Sequence, residues 1–495
     1  MNHEPITKAM FVTLFEKELK AILLSPKFVA TFGVCSLLIL LSVFIGIQEY
    51  KASVDQYETA LQLAEQEVRE ATSWWAVNNR AYRQPNPMQI FASGVNNDVG
   101  RLSNISTWTE VKLQQSTYLD DSLFALFRFI DFTFIVQVVL SLFAILFTYN
   151  AINGERESGT LKLTFSNAVP RGQYMLAKFL GAWAGLVVPL LIPIALALLI
   201  IMVLHVPMTG VEWSKLMALI GVSVLYFTVF IMLGLLVSAM TRRSTVSFLV
   251  LLVVWVLFVL ILPRAATMAA GQVIEVPSIA EVESQKDRYR TDRWTAFGEE
   301  RSEKWRERME PAEGMNEEDR TAFLEARREQ WMQEDDDDRQ VMQEEIAEFE
   351  RKVNEDLRNR KSEQERLAFV LSRFSPSSSY QLATMNLAGT NTTLKTRYEE
   401  SMKAYRTAFA QFVEAKRIEE RRRMMEQQRG QRRVMILGGA GDEALDVSEL
   451  PRYEAPSHTF AEAFGPSMID VGLLALFSVI CFGGAFVAFL RYDVR

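Results

Sequence analysis

Six stretches of this chain, residues 28–47, 132–149, 179–204, 216–240, 246–262 and 471–490, contain no charged residue. Each is about long enough to cross a hydrocarbon layer of roughly 30 Å as a helix rising about 1.5 Å per residue. Within that layer the backbone finds no water to bond, so each run is constrained to be helical. Chain-wide averages hide the pattern, because 49% hydrophobic and 23% charged residues would suit a soluble protein. The expected fold class is an all-α membrane protein: six transmembrane helices, an N-terminal interfacial helix and a mainly helical extracytoplasmic domain. In order, the expected parts are 1–27 (interfacial), 28–48 (first span), 49–128 (first extracytoplasmic insertion), 129–263 (spans two to five, with a cytoplasmic loop at 150–178), 264–466 (large helical domain) and 467–495 (last span and basic tail).

The basic residues orient these spans. Lys8, Lys17, Lys20 and Lys27 precede the first, Arg156, Lys162, Arg171 and Lys178 follow the second, Arg242 and Arg243 separate the fourth from the fifth, and Arg491 and Arg495 follow the sixth. The short link 205–210 carries no Lys or Arg. Basic short loops mark the cytoplasmic side, so both termini and the 150–178 loop are expected there, with membrane lipids as the surrounding partner. Residues 5–26 place Phe11, Leu14, Phe15, Leu19 and Ile22 at helical spacing beside Glu16, Lys17, Glu18 and Lys20. That pattern reads as an amphipathic helix in the membrane interface, with a soluble surface helix as the alternative. No small-residue cleavage pattern follows the first run, which is expected to stay as an anchor.

Outside the membrane, Tyr50, Val54, Tyr57, Leu61 and Leu63 are expected to keep roughly helical spacing, and Trp74 and Trp75 lead into a turn-rich piece, RQPNPMQIFASGVNNDVGR. In the larger insertion, apolar residues recur at Ile346, Phe349, Val353 and Leu357 and again at Leu394, Tyr398, Met402, Tyr405, Phe409 and Phe412. These two stripes are expected to pair with each other, and the Ser/Pro/Gly/Thr-rich RFSPSSSYQLATMNLAGTNTT between them is expected to be their turn. Glu310 to Asp319 and Glu426 to Glu449 hold too few apolar residues to offset ordering entropy and are expected to be mobile.

Several chemistries are excluded or disfavoured. There is no GxxxxGK[ST] phosphate cradle, and the glycine run Leu437 to Asp442 has no lysine after it. Three histidines, His3, His205 and His458, are scattered, and two cysteines, Cys35 and Cys481, lie inside apolar runs. Asp335 to Asp338 lacks the spaced ligands and turn glycine of a calcium loop and reads as a solvated charge run. A net charge of -7 argues against a nucleic-acid partner. No span carries an ionisable residue near its centre, where ion-coupled carriers keep such groups. Energy for any movement is therefore expected from a partner, and no cofactor, metal or catalytic site is expected in this chain.

The segment ERESGTLKLTFSNAVPRGQYMLAK after the second run, with an interfacial helix before six spans and a basic RYDVR tail, resembles the permease subunits of type-two ATP-binding-cassette exporters. The pieces PNPMQIFASGV and SPSSSYQLATMNLAGTN are similar to the subgroup with a large extracytoplasmic insertion, the gliding-motility-type permeases. The resemblance implies a coupling helix that docks on a separate cytoplasmic ABC ATPase, which binds the ATP. It puts Glu155, Glu157, Gly159, Thr160 and Leu161 at that contact, with Pro170 and Arg171 leading into the third span. It also implies a second permease, as a homo- or heterodimer, in a bacterial inner membrane. A plain solvated inner loop is the alternative for GERESGTL. A mechanotransmitting or scaffold protein that acts on envelope partners without transport is the alternative for the whole chain.

Overall fold

In the computed structural model the described residues are 4–71, 73–74, 77, 79–106, 111–116, 130–166, 169–430, 447 and 449–491. Trp75, the glycine run at 437–442 and the end of the basic tail lie outside them. The chain forms two compact units, Met1–Ile261 with Ser375–Arg495, and Leu262–Phe374. The first unit begins with α1 (Glu4–Leu23), α2 (Pro26–Arg69) and a hairpin of β1 (Asn79–Tyr82) and β2 (Leu102–Ile105). Next, α3 opens at Phe132–Phe134, passes through a π-helical stretch Ile135–Leu140 and continues as Ser141–Thr148. Short α4 (Asn153–Glu157) and α5 (Thr160–Ser166) lead to α6 (Arg171–Val203), α7 (Gly210–Met240) and α8 (Ser244–Trp255, continuing as a π-helix over Val256–Ile261). The second unit holds α9 (Leu262–Val273), α10 (Ile279–Met309) and α11 (Glu317–Ser372). Back in the first are α12 (Pro376–Ala388), α13 (Leu394–Gly430) and α14 (Phe460–Leu490).

Among the described residues six helices are long and apolar enough to cross a membrane: Pro26–Arg69, Phe132–Glu157, Arg171–Val203, Gly210–Met240, Ser244–Val273 and Phe460–Leu490. Each covers one expected apolar run, the third to within one residue because Leu204 is the cap of α6, and most extend well beyond it. The ends are set by capping chemistry, which hydropathy does not report: Thr209 with Glu212 and Thr459 with Glu462 form reciprocal capping boxes. α2 continues for 44 residues, about 66 Å at 1.5 Å per residue, because Glu, Ala, Gln and Leu after Ile47 keep the helix going with no Gly or Pro to stop it. α6 runs through Pro189 and Pro193 without interruption.

Two expectations for the stretch 264–466 are corrected. The Ser/Pro-rich stretch is a buried helix and no simple turn. Ser375 caps it, its Oγ accepting from Ser377 N at 3.1 Å, Pro376 opens it and Gly389 closes it at φ 70°. Ser375, Ser377 and Ser379 are fully buried, and such small side chains let helices approach closely. Tyr380 stacks on Tyr226 at 4.5 Å between ring centroids and its hydroxyl lies 3.0 Å from Ser223 Oγ. Ser467 Oγ on α14 donates to Ala383 O at 3.2 Å.

Nor do the two apolar stripes pair with each other. Leu394, Tyr398, Met402, Tyr405 and Phe409 on α13 pack on Val68, Trp74, Val77, Ala81, Ile105 and Val111 of the first insertion. Asn79 Nδ2 donates to Tyr405 OH at 2.7 Å, and Arg417 Nε to Trp74 O at 3.1 Å. The other stripe finds α10 instead: Phe297, Met342 and Ile346 form a small core, and Tyr289 stacks on Phe349 at 3.8 Å. The stretch read as one domain, 264–466, is thus divided between the units. Ion pairs line the α10–α11 contact, with Arg293 Nε 2.6 Å from Glu345 and Arg308 2.7 Å from Asp335. Lys304 pairs with Asp338, so the acidic run is in part engaged by the facing helix.

Where α3 meets α7, a Cβ built on Gly234 would lie 1.8 Å from Thr148 Oγ1, whereas one on Gly221, also on α7, meets nothing within 4 Å. Overpacking of this kind costs about 1–3 kcal/mol. Gly234→Ala is expected to lower the thermal unfolding temperature in detergent, and Gly221→Ala to leave it unchanged or slightly raised. Equal effects of the two would show that the α3–α7 contact does not depend on Gly234.

Candidate functional site

The 150–178 loop is built from two helical turns joined by a glycine. α4 ends at Glu157, and Gly159 turns the chain at φ +76°, a conformation side chains rarely adopt, with nothing near where its Cβ would be. Thr160 then starts α5, its hydroxyl 2.9 Å from Ser158 Oγ and donating to Glu155 O at 3.2 Å. Leu161, 2% exposed, anchors α5 in a small cluster with Ile152, Val169, Tyr174, Met175, Ala239 and Phe489. Tyr174 and Phe489 stack there at 5.1 Å.

Glu155 faces inward. Its Oε1 takes Lys17 Nζ at 2.6 Å and Lys178 Nζ at 3.0 Å, and its Oε2 accepts from Tyr174 OH at 2.6 Å. Lys178, with 4% of its side chain exposed, also holds Glu18 at 2.7 Å. Two cations and two carboxylates therefore balance across α1, α4 and α6. α1 reaches this position because glycines clear its path: a Cβ on Gly181 would lie 2.5 Å from Glu18 Cβ, and one on Gly185 3.4 Å from Ile22. The stripe of α1 that reads as interfacial thus has a protein contact on α6 at Ile22, beside Gly185.

Glu157 does something different. Its two oxygens accept from Ser244 N at 2.9 Å and Ser244 Oγ at 2.7 Å. The residue before α8, Arg243, makes no side-chain cap bond. Glu157 therefore serves as the cap of that helix from another part of the chain and places a carboxylate at its positive end. Asn153 strengthens the same corner, with Nδ2 on Thr241 Oγ1 at 3.0 Å, Oδ1 accepting from Ser244 Oγ at 3.3 Å, and its backbone N, like that of Ile152, donating to Ser238 Oγ. Pro170 sets the extended entry to α6, and Arg171 Nη1 donates to Leu490 O at 2.5 Å, satisfying a carbonyl at the C-terminus of α14.

All seven residues singled out in the sequence lie on this loop or its exit, yet only some face outward. Glu157, Ser158, Gly159, Thr160, Lys162 and Leu163 are exposed, Leu163 to 68%. Glu155 and Leu161 are the inward anchors. Sequence reasoning missed Lys17, Glu18, Tyr174, Ser238 and Ser244 as their partners. Lys17 and Glu18 looked like the wet face of α1, and no local pattern announces that Gly181 and Gly185 bring that face onto α6.

The described loop therefore joins α1, α6, α7, α8 and α14 at one end of the bundle. Its exposed turn is tied to the bundle at several points: Glu155 to α1 and α6, Glu157 to α8, Leu161 to Tyr174 and Phe489. Removing the Glu155 charge is expected to cost about 2 kcal/mol, the scale for hydrogen bonds to charged groups. In a double-mutant cycle of Glu155→Gln and Lys178→Met, read by thermal unfolding in detergent, the single losses are expected to be non-additive. Strict additivity would mean the pair contributes nothing of its own.

Residues 12–494 match the family model described as ABC-2 family transporter protein. No curated protein matches the chain.

Proposed function

The chain belongs to the ABC-2 transporter family, and from that premise we propose that it is the permease subunit of an ATP-driven exporter coupled to separate cytoplasmic ABC ATPase subunits. The large-insertion, gliding-motility-type subgroup, a second permease as homo- or heterodimer, and a bacterial inner membrane with both termini inside belong to the same proposal. The observation that carries it is the hub at Glu155, whose side chain joins α1 to α6 while the adjacent turn is presented outward. In this reading the docking surface is the exposed turn from Ser158 to Leu163, and Glu155 and Glu157 transmit the load instead of touching the ATPase. Pro170 and Arg171 pass it to α6 and α14. The cofactor site stays with the partner, which holds the ATP.

A second reading, mechanotransmission to envelope partners without transport, is favoured by the ion-pair-laced hairpin of α10 and α11, a structure with no evident use as a transport gate. Reconstitution with the ATPase separates the two. Transport of a labelled substrate in vesicles supports export, and ATP-driven movement of the hairpin without flux supports the rival.

Two outcomes test the common part. Leu163→Glu puts a charge on the proposed docking turn and is expected to abolish co-purification of the ATPase from a folded chain, while Glu155→Gln keeps association but lowers coupled ATP hydrolysis. Full association of the Leu163→Glu chain would remove the turn from the interface. For the orientation, cysteines placed at Ser158 and at Asp55, both exposed, after replacing Cys35 and Cys481, are expected to label from opposite sides. An impermeant reagent reaching both in intact cells would overturn the six-span topology.

A further inference from the structure

Between the polar half of α2 and the β1–β2 hairpin lies a cavity of about 540 Å³, inside the roughly 300–1,000 Å³ range of small-molecule sites. Among the described residues its wall carries three arginines, Arg80, Arg83 and Arg101, and no Asp or Glu, in a chain whose net charge is -7. Much of the remaining wall is amide: Gln56, Gln89, Asn96, Asn97, Asn104, Gln114 and Gln115. The hairpin fixes the arginines in place, since Arg83 N donates to Arg101 O at 2.7 Å and Arg101 N to Gln114 O at 2.8 Å.

Arg83 is the telling group. Its Nη1 and Nη2 donate to Asn96 Oδ1 at 2.6 Å and Asn96 O at 2.8 Å, both neutral acceptors, and its Nε is buried without a hydrogen-bond partner. Among the described carboxylates nearby, Glu67 pairs with Arg80 at 3.3 Å, and Glu49 accepts from Asn97 Nδ2 at 3.1 Å and acts electrostatically on Arg101, whose Nη1 donates to Gln56 Oε1 at 2.8 Å; none bonds Arg83. Burial pushes the Arg83 guanidinium down to about 10. A buried guanidinium held by amides alone is costly unless an anion completes it. Gln115 stands at φ 58° on the same wall, a strained backbone of the kind found at binding sites.

We infer that this cavity binds a small hydroxylated organic anion of the acidic-saccharide class. Its carboxylate meets the Arg83 and Arg101 guanidiniums, the fork geometry suited to such a group. Its hydroxyls, which donate and accept, meet the amides, which do the same. Tyr57 and Tyr82 supply an aromatic surface for the less polar face of a sugar ring. The inference stands apart from the ATPase reading, because the site is formed by this chain alone.

The test is binding of digalacturonate to the purified full-length chain in detergent by calorimetry, with lactose and inorganic phosphate as parallel probes. Digalacturonate is expected to bind, lactose about tenfold or more weaker, and Arg83→Gln to weaken digalacturonate by about tenfold or more, the scale of a lost charge-assisted bond. Because Arg83→Gln removes a buried group, Gln114→Glu is the second variant: Gln114 is exposed, so the fold is kept while a carboxylate joins the wall, and binding is expected to fall similarly. No binding by the folded chain, or full binding by Gln114→Glu, overturns the site. Phosphate binding as tightly as digalacturonate overturns the saccharide class, and lactose binding equally well overturns the role of charge.

Discussion

The pair of carboxylates around Lys178 is the interaction on which the loop end of this bundle depends. A lysine with 4% of its side chain exposed has lost nearly all its water, and a lone buried ammonium costs several kcal/mol. Glu18 at 2.7 Å and Glu155 at 3.0 Å replace that water. They come from opposite sides in the chain, one from the helix before the first span and one from the loop after the second. Neither α1 nor the loop can leave α6 without exposing part of this charge. The arrangement therefore ties three separated segments into one body, which apolar packing alone would not do with such directional demand.

That ion cluster requires close approach, and the backbone allows it through small residues. Gly181 and Gly185 admit α1 to α6, Gly234 admits Thr148 of α3 to α7, and the serines of α12 admit it between α7 and α14. In a membrane, helix association draws on packing and interhelical hydrogen bonds more than on expulsion of water. The hydroxyls follow this logic: Trp183 Nε1 to Thr228 at 2.9 Å, Trp255 Nε1 to Ser141 at 2.8 Å and Tyr226 OH to Gln137 O at 2.9 Å.

The spans were legible because hydrocarbon imposes helix on any uncharged run of that length, and the central loop because charge and glycine interrupt it. What eluded the sequence was partnership. The α13 stripe was visible as Leu394 to Phe412, but a helical stripe states only that something apolar covers it, and Val68, Trp74 and Ile105 lie far away in the chain. The serines of α12 looked like a turn because Ser and Pro favour turns in water. Buried against aromatic and aliphatic spans, the same residues cap and open a helix. Glu155 and Glu157 stand out as acidic residues of an aqueous loop, but nothing in the local sequence signals that Lys17 and Ser244 fold back to meet them.

A bundle end that moves as one body transmits displacement only if the attached helices yield elsewhere. Regular α-helix resists bending, and the known weak points are proline, glycine pairs and π-helical turns, whose hydrogen-bond geometry departs from the regular ladder. Here α3 carries a π stretch at Ile135–Leu140 and α8 another at Val256–Ile261. They are not independent: Trp255, at the edge of the second, donates to Ser141, at the edge of the first, and Ser141 Oγ in turn donates to Gln137 O within it at 2.6 Å. Ser375, which caps α12, donates to Phe258 O inside the second stretch. Both irregular segments are thus held side by side and bonded to α12. Glu157 joins the near end of α8 to the loop, so a shift of the loop bears on the same helix that carries the π stretch beside α12. Polar contacts thus hold both ends of α8, Glu157 at Ser244 and Ser375 at Phe258.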